Sequence, residues 1–325
     1  MLNKTVLVNK PIHDAALDKL QEEVDVLTPY AASSAELLEM LPQVHGIILC
    51  FGFDMGGAEM DLAENLEVIG RHGAGLDSVD MDAASKRGIP VVFTPYGPTQ
   101  STAEHALLLI LATARRLSRL DRATRSGDFE IRERAEDGMG RELHGKALGV
   151  VGFGRIGQCL AGMCRDALAM SVYVYDPFLD PETVSVWGGT YVEDLIELAG
   201  QVDVLTMHTP LTPETRHLVD QAVIRAMKPE GILINASRGA VVDEAALIEA
   251  LRDGHLGGVG LDVYDPEPPT PDNPLFQFEQ VVLTPHVASF TEEGRRRMSF
   301  TVVDDMLRAL RGERPQYLAN PQVWT

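Results

Sequence analysis

Cysteine is scarce in this sequence, and its few cysteines are not spaced for chemistry. The chain of 325 residues contains Cys50, Cys159 and Cys164, with no CxxC pair. Three thiols in this spacing favour neither a disulfide framework nor a zinc site, so no metal site is predicted. We expect all three to be small buried hydrophobic side chains, and a reducing cytoplasm is the expected compartment.

Long apolar runs are also missing. The opening segment, MLNKTVLVNKPI, has too short an apolar run for a secretory signal peptide. The most apolar helical stretch, residues 105–113, is followed by Arg115 and Arg116 and is too short to cross a bilayer. We therefore expect no membrane partner.

Positive charge is in deficit. The chain has 28 Lys and Arg against 48 Asp and Glu, which gives a formal net charge of −20. A surface this acidic repels nucleic acids and anionic membranes, so we expect no nucleic-acid partner. A small acid remains acceptable as a substrate, because one local cation can override the global field.

Short apolar strands that alternate with helices fill most of the chain. This pattern predicts an α/β protein with two doubly wound parallel sheets, each covered on both faces. The expected strands are residues 5–8, 26–28, 46–50, 66–69 and 91–94 in a first unit, and residues 147–151, 171–175, 202–207, 231–235, 257–263 and 281–284 in a second.

One long helix is predicted between the two units. It begins at Ser101, which would be the N-cap of a capping box with Glu104, and it ends at Gly127. A final amphipathic helix is predicted over residues 291–311.

A glycine-rich turn follows the first strand of the second unit. Gly152, Gly154 and Gly157 form a GxGxxG motif between a strand and a helix, an arrangement that binds a pyrophosphate at a helix N-terminus. Asp176 ends the next strand, nineteen positions after Gly157 (176 − 157). A carboxylate there accepts hydrogen bonds from ribose hydroxyls and repels a 2′-phosphate, so NAD is the expected cofactor rather than NADP.

Three polar residues follow predicted strands at the carboxyl edge of the second sheet, where doubly wound folds bind ligands. Arg238 follows GILINA, Glu267 follows GVGLDVY, and His286 follows VVLTP. Each of them alone is an ordinary surface or structural residue. Their common placement at one sheet edge makes them candidates for a functional site.

Several segments resemble the signature segments of the D-isomer-specific 2-hydroxyacid dehydrogenase family. They are VGFGRIGQ, SRGAVVDEAAL, GLDVYDPEPP and LTPHVAS, together with RHGAGLDSVD near residue 71, STAEHALLLIL near residue 101, and NPQVW near residue 320. The resemblance covers essentially the whole chain, and within the family it is strongest to phosphoglycerate-dehydrogenase-like members.

The resemblance implies a role for each of the three polar residues. His286 would exchange a proton with the substrate oxygen, Glu267 would be its carboxylate partner, and Arg238 would hold the substrate carboxylate and polarise the carbonyl. These roles suit the chemistry, because hydride transfer to a ketone builds negative charge on oxygen, which a cation stabilises and an acid protonates. Imidazole can act in both directions near neutral pH. Ala74 and Gly75 would supply backbone donors to the same carboxylate.

The resemblance also implies cofactor contacts beyond the three glycines and Asp176. They are Thr102, Arg155, Ile156, His208, Thr209, Pro210, Ala236, Ser237, Asp262 and Ala288. Asp262 would accept a hydrogen bond from the nicotinamide amide, although an aspartate at this position is also a common turn cap. His72, His105 and His144 are expected to be structural.

The family fold implies two domains. A flavodoxin-like substrate-binding domain would comprise residues 1–100 and 290–325, and an NAD-binding Rossmann domain would comprise residues 101–289. Substrate would bind in the cleft between them, and a homodimer would form mainly through the NAD-binding domains. Because the chain stops at residue 325, we expect no appended regulatory domain.

The substrate stays open at this point. Residues 51–55 read FGFDM and contain no arginine to meet a phosphate, so a small or apolar 2-oxo acid such as glyoxylate, hydroxypyruvate or a branched keto acid is as compatible as a phosphorylated one. Arg71, or the arginines at 295–297, could still supply a cation. The alternatives are a phosphite-type dehydrogenase and a non-enzymatic NAD-sensing scaffold. Formate dehydrogenase is less compatible, because Glu267 stands where a glutamine is expected.

Overall fold

The computed structural model describes residues 2–134 and 138–324. The chain divides into two compact units, one comprising Met1–Thr99 with Phe290–Thr325 and the other comprising Gln100–Ser289. Each unit contains a sheet in which every strand pair is parallel.

The first unit is built on a five-stranded sheet with strand order β2-β1-β3-β4-β5, the flavodoxin-like order. Its strands are β1 (Thr5–Val8), β2 (Asp25–Leu27), β3 (Gly46–Leu49), β4 (Val68–Arg71) and β5 (Val91–Phe93). Its helices are α1 (Asp14–Gln21), α2 (Ser34–Met40), α3 (Gly57–Leu62), α4 (Met81–Lys86) and a C-terminal helix, Glu292–Leu310.

Both faces of the first sheet are buried, because successive side chains of a strand point to opposite faces. Leu7 and Ile47 pack into one core cluster, whereas Val6 and Ile48 pack into another that contains Val302 of the C-terminal helix. This two-sided burial explains why the strands are nearly continuous apolar runs.

The second unit is built on a seven-stranded sheet with strand order β12-β11-β10-β9-β6-β7-β8. The order reverses between β6 and β9, which is the switch point of a Rossmann fold. The strands are β6 (Ala147–Val151), β7 (Ser171–Tyr175), β8 (Thr190–Tyr191), β9 (Val204–Met207), β10 (Gly231–Asn235), β11 (Leu256–Leu261) and β12 (Val281–Leu283). The predicted fold class is therefore confirmed, although the two-residue edge strand β8 was not predicted.

Further helices surround the second sheet, and the first of them begins at the boundary between the units. They are α5 (Thr99–Ala114), α6 (Leu117–Arg125), α7 (Arg155–Leu168), α8 (Pro181–Val186), α9 (Leu195–Gln201), α10 (Gln221–Ala226) and α11 (Glu244–Arg252). Short 3-10 turns lie at Leu41–Gln43, Phe129–Glu133, Gly239–Val241, Pro274–Gln277 and Pro321–Val323.

The prediction of one long helix from Ser101 to Gly127 was wrong. The backbone of Arg116 has a φ of 53°, in the left-handed region, and this residue separates α5 from α6. Ser101 is buried inside α5 rather than capping it, so the capping box with Glu104 is also wrong. The predicted end is right, because Gly127 has a φ of 81° directly after the last turn of α6.

The three cysteines are free thiols. Cys50 and Cys164 are buried, and burial raises the pKa of each thiol to about 12. Cys159 is only partly buried, which corrects the expectation for this residue. In the part of the chain that the structure describes, no cluster of His, Cys, Asp and Glu could hold a metal ion, and no helix is long and apolar enough to cross a membrane.

Candidate active site

The GxGxxG motif forms the turn between β6 and α7. Gly152 has a φ of 86°, and a Cβ on it would lie 2.9 Å from the carbonyl oxygen of His208. A Cβ on Gly157 would lie 2.4 Å from the carbonyl oxygen of Gly152, so this glycine lets helix and strand pack closely. A Cβ on Gly154 would have no atom within 4 Å, which leaves open space in front of the N-terminus of α7.

Open space at this position suits a pyrophosphate. Gly154 is the N-cap of α7 and has no side chain to cap the helix, so the first N–H groups of the helix are available to an anion. Arg155 and Ile156 are the first two residues of α7, and both border this turn. The arrangement fits the phosphate-binding part of a dinucleotide site.

Asp176 follows β7 and is held in place by the backbone. Its Oδ2 accepts a hydrogen bond from the Phe153 N–H at 2.8 Å, and its Oδ1 accepts one from the Phe178 N–H at 3.0 Å. The first of these bonds ties the carboxylate directly to the glycine-rich turn. A carboxylate has about four acceptor positions, so two bonds leave capacity for ribose hydroxyls.

His208, Thr209 and Pro210 follow β9 next to the glycine-rich turn. His208 Nε2 lies 3.0 Å from the hydroxyl of buried Thr206, and burial lowers the pKa of His208 to about 4, so the ring is neutral. Among the described residues, the buried Thr209 Oγ1 has no hydrogen-bond partner. Thr209 places its methyl group, not its hydroxyl, against Gly152, and the unsatisfied hydroxyl is consistent with a partner supplied by a bound cofactor.

The three catalytic candidates lie after β10, β11 and β12, which are neighbours in the sheet. Arg238 follows β10, and its turn is fixed by buried Asn235, whose Nδ2 donates to the Arg238 carbonyl at 2.8 Å. The Asn235 Oδ1 accepts from the Ser237 N–H at 3.0 Å and from the Ser237 hydroxyl at 2.9 Å. Ala236 is buried between them.

Glu267 and His286 form a hydrogen-bonded pair between Glu267 Oε1 and His286 Nδ1. The Glu267 Oε2 also accepts from the Tyr264 N–H at 3.3 Å. Burial acts to raise the pKa of Glu267, but the hydrogen bond and charge of His286, the Tyr264 N–H and the charge of Arg238 together lower it. Glu267 is therefore a carboxylate at neutral pH and accepts the Nδ1 proton of His286.

This pairing leaves His286 Nε2 as the ring nitrogen that can exchange a proton with a ligand. The His286 side chain is about half exposed, so the ring is accessible. Its backbone has a φ of 55°, a conformation that non-glycine residues rarely adopt. Such outliers persist only where the surrounding structure holds them, and they are concentrated at functional sites.

Asp262 is completely buried after β11. Its Oδ1 accepts from the Thr284 hydroxyl at 2.6 Å and from the Val287 N–H at 2.9 Å, and its Oδ2 accepts from the Ala288 N–H at 2.8 Å. A carboxylate with no exposed surface offers nothing to a ligand, so a direct contact with a nicotinamide amide would require residues 284–288 to rearrange.

The remaining predicted residues are placed as follows. Thr102 is buried in the first turns of α5, and Ala288 is buried after β12. Ala74 and Gly75 lie in the loop after β4 of the first unit and are partly exposed. The residues that sequence reasoning missed are Asn235, Tyr264 and Thr284, which hold the candidate side chains in place.

Comparison with known proteins supplies the family. A model described as "D-isomer specific 2-hydroxyacid dehydrogenase, NAD binding domain" matches residues 107–288. A D-3-phosphoglycerate dehydrogenase of Archaeoglobus fulgidus is 40% identical over 310 residues, which are 94% of this chain and 57% of that protein. A glyoxylate reductase of Korarchaeum cryptofilum is 35% identical over 321 residues, covering 98% of this chain and 96% of that protein.

Solved structures give the same result. The TT0316 protein from Thermus thermophilus superposes with a TM-score of 0.86 at 38% identity, covering 97% of this chain and 99% of that one. The D-mandelate dehydrogenase of Rhodotorula graminis in its apo form superposes with a TM-score of 0.86 at 28% identity, covering 98% of each chain. The chain belongs to the D-isomer-specific 2-hydroxyacid dehydrogenase family, and its second unit is an NAD-binding domain.

This chain spans little more than half of two phosphoglycerate dehydrogenases that it resembles, but nearly all of a glyoxylate reductase. This chain spans 57% and 59% of the phosphoglycerate dehydrogenases of Archaeoglobus fulgidus and Methanocaldococcus jannaschii, but 96% of the glyoxylate reductase of Korarchaeum cryptofilum.

Proposed function

We propose that this chain is an NAD-dependent oxidoreductase that interconverts a small 2-hydroxy acid and its 2-oxo acid. The observation that carries the proposal is the Glu267–His286 hydrogen bond, formed at the same sheet edge as Arg238 in a unit that also has the dinucleotide turn. Bound NAD supplies hydride acceptance, and NADH supplies hydride donation.

His286 is the acid and base of the proposed reaction. In the direction of reduction, its Nε2–H protonates the oxygen that hydride transfer makes negative, and in oxidation the neutral ring takes that proton back. Glu267 holds the ring through Nδ1 and stabilises its charged form. Arg238 binds the substrate carboxylate and polarises the carbonyl, with backbone N–H groups of Ala74 and Gly75 as further carboxylate donors.

The proposed cofactor contacts follow the geometry of the second unit. The turn at Gly152, Gly154 and Gly157 receives the pyrophosphate, and Asp176 receives the adenosine ribose. The other proposed contacts are Thr102, Arg155, Ile156, His208, Thr209, Pro210, Ala236, Ser237 and Ala288.

An aromatic pair in the first unit favours a substrate whose side chain is uncharged. Phe51, directly after β3 and Cys50, and Phe290 are both more than half exposed, and their ring centroids are 6.2 Å apart. Phe51 lies near the carboxyl edge of the first sheet, where β3 pairs with β4 ahead of Ala74. Exposed phenylalanines at a ligand-binding edge suit an apolar substituent better than a phosphate.

We further propose a cytoplasmic homodimer that forms through α5 and α6. Helix α5 is apolar on most of its surface, and Leu108, Leu111 and Leu117 remain exposed on this pair of helices. A helix that is apolar all round is normally buried, so a second copy of the chain is the expected cover. Light scattering should give twice the mass of one chain, and Leu108→Glu should lower it toward one.

The test of activity is NADH oxidation against a panel of 2-oxo acids, with NADPH as the control. The panel contains glyoxylate, hydroxypyruvate, pyruvate, branched 2-oxo acids, oxaloacetate and phosphohydroxypyruvate. Turnover that requires His286 supports the proposal, and a preference for phosphohydroxypyruvate would contradict the role given to Phe51 and Phe290. NADH binding without turnover of any acid would overturn it in favour of phosphite oxidation or an NAD-sensing scaffold.

A further inference from the structure

The segment that carries His286 is anchored by a buried carboxylate. After β12 the chain passes from Thr284 to Ala288, and Asp262 accepts hydrogen bonds from the N–H groups of Val287 and Ala288. These two N–H groups directly follow His286, the residue with a φ of 55°. The Asp262 carboxylate therefore fixes the backbone on the C-terminal side of the imidazole.

The Thr284 hydroxyl connects this anchor to helix α5. It lies 2.6 Å from Asp262 Oδ1 and 2.9 Å from His105 Nε2. A hydroxyl has one proton, and the carboxylate can only accept, so the Thr284 proton is donated to Asp262. The Thr284 oxygen must then accept from His105, which means that His105 carries its proton on Nε2.

A chain of hydrogen bonds thus runs from His105 through Thr284 to Asp262 and ends at the backbone beside His286. His105 Nε2 also lies 3.5 Å from Asp262 Oδ1, so the ring is close to the buried carboxylate as well as to the Thr284 hydroxyl. The His105 side chain is largely buried, and the Tyr264 hydroxyl donates to the Thr284 carbonyl at 2.9 Å. The Thr284 residue is thus held on both its side chain and its backbone.

We propose that His105 is a positioning residue for the acid–base pair: through Thr284 and Asp262 it holds residues 286–288 so that the imidazole of His286 stays on Glu267. This inference rests on the proposed function for the role of His286. His105 thus has a structural role in which its Nε2–H donates to the Thr284 hydroxyl oxygen, and loss of this hydrogen bond should lower turnover.

Two variants of His105 distinguish the effect of its N–H donor from the effect of its side-chain volume. His105→Leu fills a similar volume without an N–H, whereas His105→Gln places an amide N–H near the position of Nε2. His255→Leu is the matched control. His255 directly precedes β11, and its Nε2 makes a hydrogen bond of similar length, 3.0 Å, to the Ile224 carbonyl. All three changes lie in the same unit.

Two readouts are needed, and the first does not depend on turnover. Amide hydrogen exchange at Val287 and Ala288 should be faster by about tenfold or more in His105→Leu, and near the wild-type rate in His105→Gln and His255→Leu. Unchanged exchange at both amides in His105→Leu, or equal acceleration in His255→Leu, would overturn the proposal.

The second readout is the split between kcat and KM. We expect His105→Leu to lower kcat by about tenfold with NADH affinity within about twofold, and His105→Gln to recover most of it. A loss in NADH affinity with kcat unchanged would overturn the proposal. If the wild-type chain turns over no 2-oxo acid, the proposed function fails, whereas the exchange data still decide whether His105 anchors residues 286–288.

A folding failure of His105→Leu would leave a second route. Thr284→Val removes the hydroxyl that joins His105 to Asp262, and Thr284→Ser keeps it. Faster exchange at Val287 in the valine variant only is the expected result, and equal exchange in both variants would refute the connection.

Discussion

A Cβ on Gly239 would lie 1.9 Å from the carbonyl oxygen of Tyr264. The backbone of Gly239, in the turn that carries Arg238, therefore packs directly against the Tyr264 carbonyl, in the segment that leads to Glu267. Gly239→Ala must therefore separate the two segments, and displacing a catalytic group by about 1 Å can cost on the order of a hundredfold in rate. We expect kcat to fall by roughly that factor while NADH still binds, as measured by stopped-flow fluorescence and steady-state turnover.

Gly162→Ala is the control for that prediction. Gly162 lies inside α7, and a Cβ on it would have no atom within 4 Å. Alanine there should be neutral or should raise the free energy of unfolding by about 0.5–1 kcal/mol. Full activity in Gly239→Ala would show that Arg238 and Glu267 do not need this spacing.

The Glu267–His286 pair predicts two different effects of substitution. His286→Gln removes the proton donor, and we expect kcat to fall by about 10²- to 10⁴-fold with NADH binding retained. Glu267→Gln keeps an acceptor for Nδ1–H but removes the negative charge that favours imidazolium. Its reduction rate should therefore decline at a lower pH than in the wild type, whereas oxidation should be less affected.

Steady-state profiles in both directions between about pH 5 and pH 9 test this pair. A Glu267→Gln profile that overlays the wild-type profile would show that the carboxylate has no electrostatic role. A His286→Gln variant with wild-type turnover would remove His286 from the mechanism altogether.

The strands of this fold follow readily from the sequence, and the helix boundaries do so less well. Four predicted strands, residues 5–8, 147–151, 171–175 and 231–235, match β1, β6, β7 and β10 residue for residue. They are apolar runs bounded by glycine or polar residues, a pattern typical of a buried parallel strand. The break between α5 and α6 is not evident from the sequence, because the residue with the left-handed backbone is Arg116 and not a glycine, and no proline stands beside it.

The candidate site also contains residues that the sequence indicates and residues that it does not. Residues at strand ends, such as Arg238 and His286, can be found from position and residue type, because parallel strands bring their carboxyl ends to one edge. The residues that hold them cannot, because their roles depend on contacts between distant segments. His105 and Thr284, for example, are 179 positions apart in the chain, and no local pattern links them.

Asp176 predicts the choice between the two nicotinamide cofactors. Its carboxylate is held by the N–H groups of Phe153 and Phe178, so it cannot easily turn away from a ribose 2′-phosphate. Asp176→Ala should weaken NADH binding by roughly 10- to 100-fold, the range expected for losing hydrogen bonds to a charged group, and should improve NADPH relative to NADH. Fluorescence titration with both cofactors measures the ratio, and an unchanged ratio would remove Asp176 from the ribose site.

His72 makes the stability of the chain depend on pH. Burial and the neighbouring positive charge of Arg71 lower the pKa of His72 to about 4, and its Nε2 lies 2.9 Å from the Ser299 hydroxyl. The Ser299 oxygen already accepts from the His13 N–H at 3.0 Å, so its proton is available to a neutral His72. The folded chain therefore keeps this imidazole neutral.

Acidification should destabilise the chain through this group in a defined window. An unfolded histidine takes up a proton near pH 6.5, and the folded one does so only near pH 4, so the unfolded state binds more protons between these values. The stabilisation is fully present above about pH 6.5 and is lost as the pH falls toward 4, by up to about 1.4 kcal/mol per pH unit. Below about pH 4 this group contributes no further loss.

Two glutamine variants test the role of His72. His72→Gln keeps an acceptor for Ser299 and should flatten the pH dependence of the thermal midpoint, whereas the exposed His144→Gln should not. A glutamine cannot take up a proton, so unfolding of His72→Gln binds no extra proton at this position. The thermal midpoint of the wild type should therefore fall more steeply than that of His72→Gln as the pH drops below about 6.5. Parallel curves for the wild type and His72→Gln across this window would mean that His72 takes up its proton at the same pH in the folded and the unfolded chain.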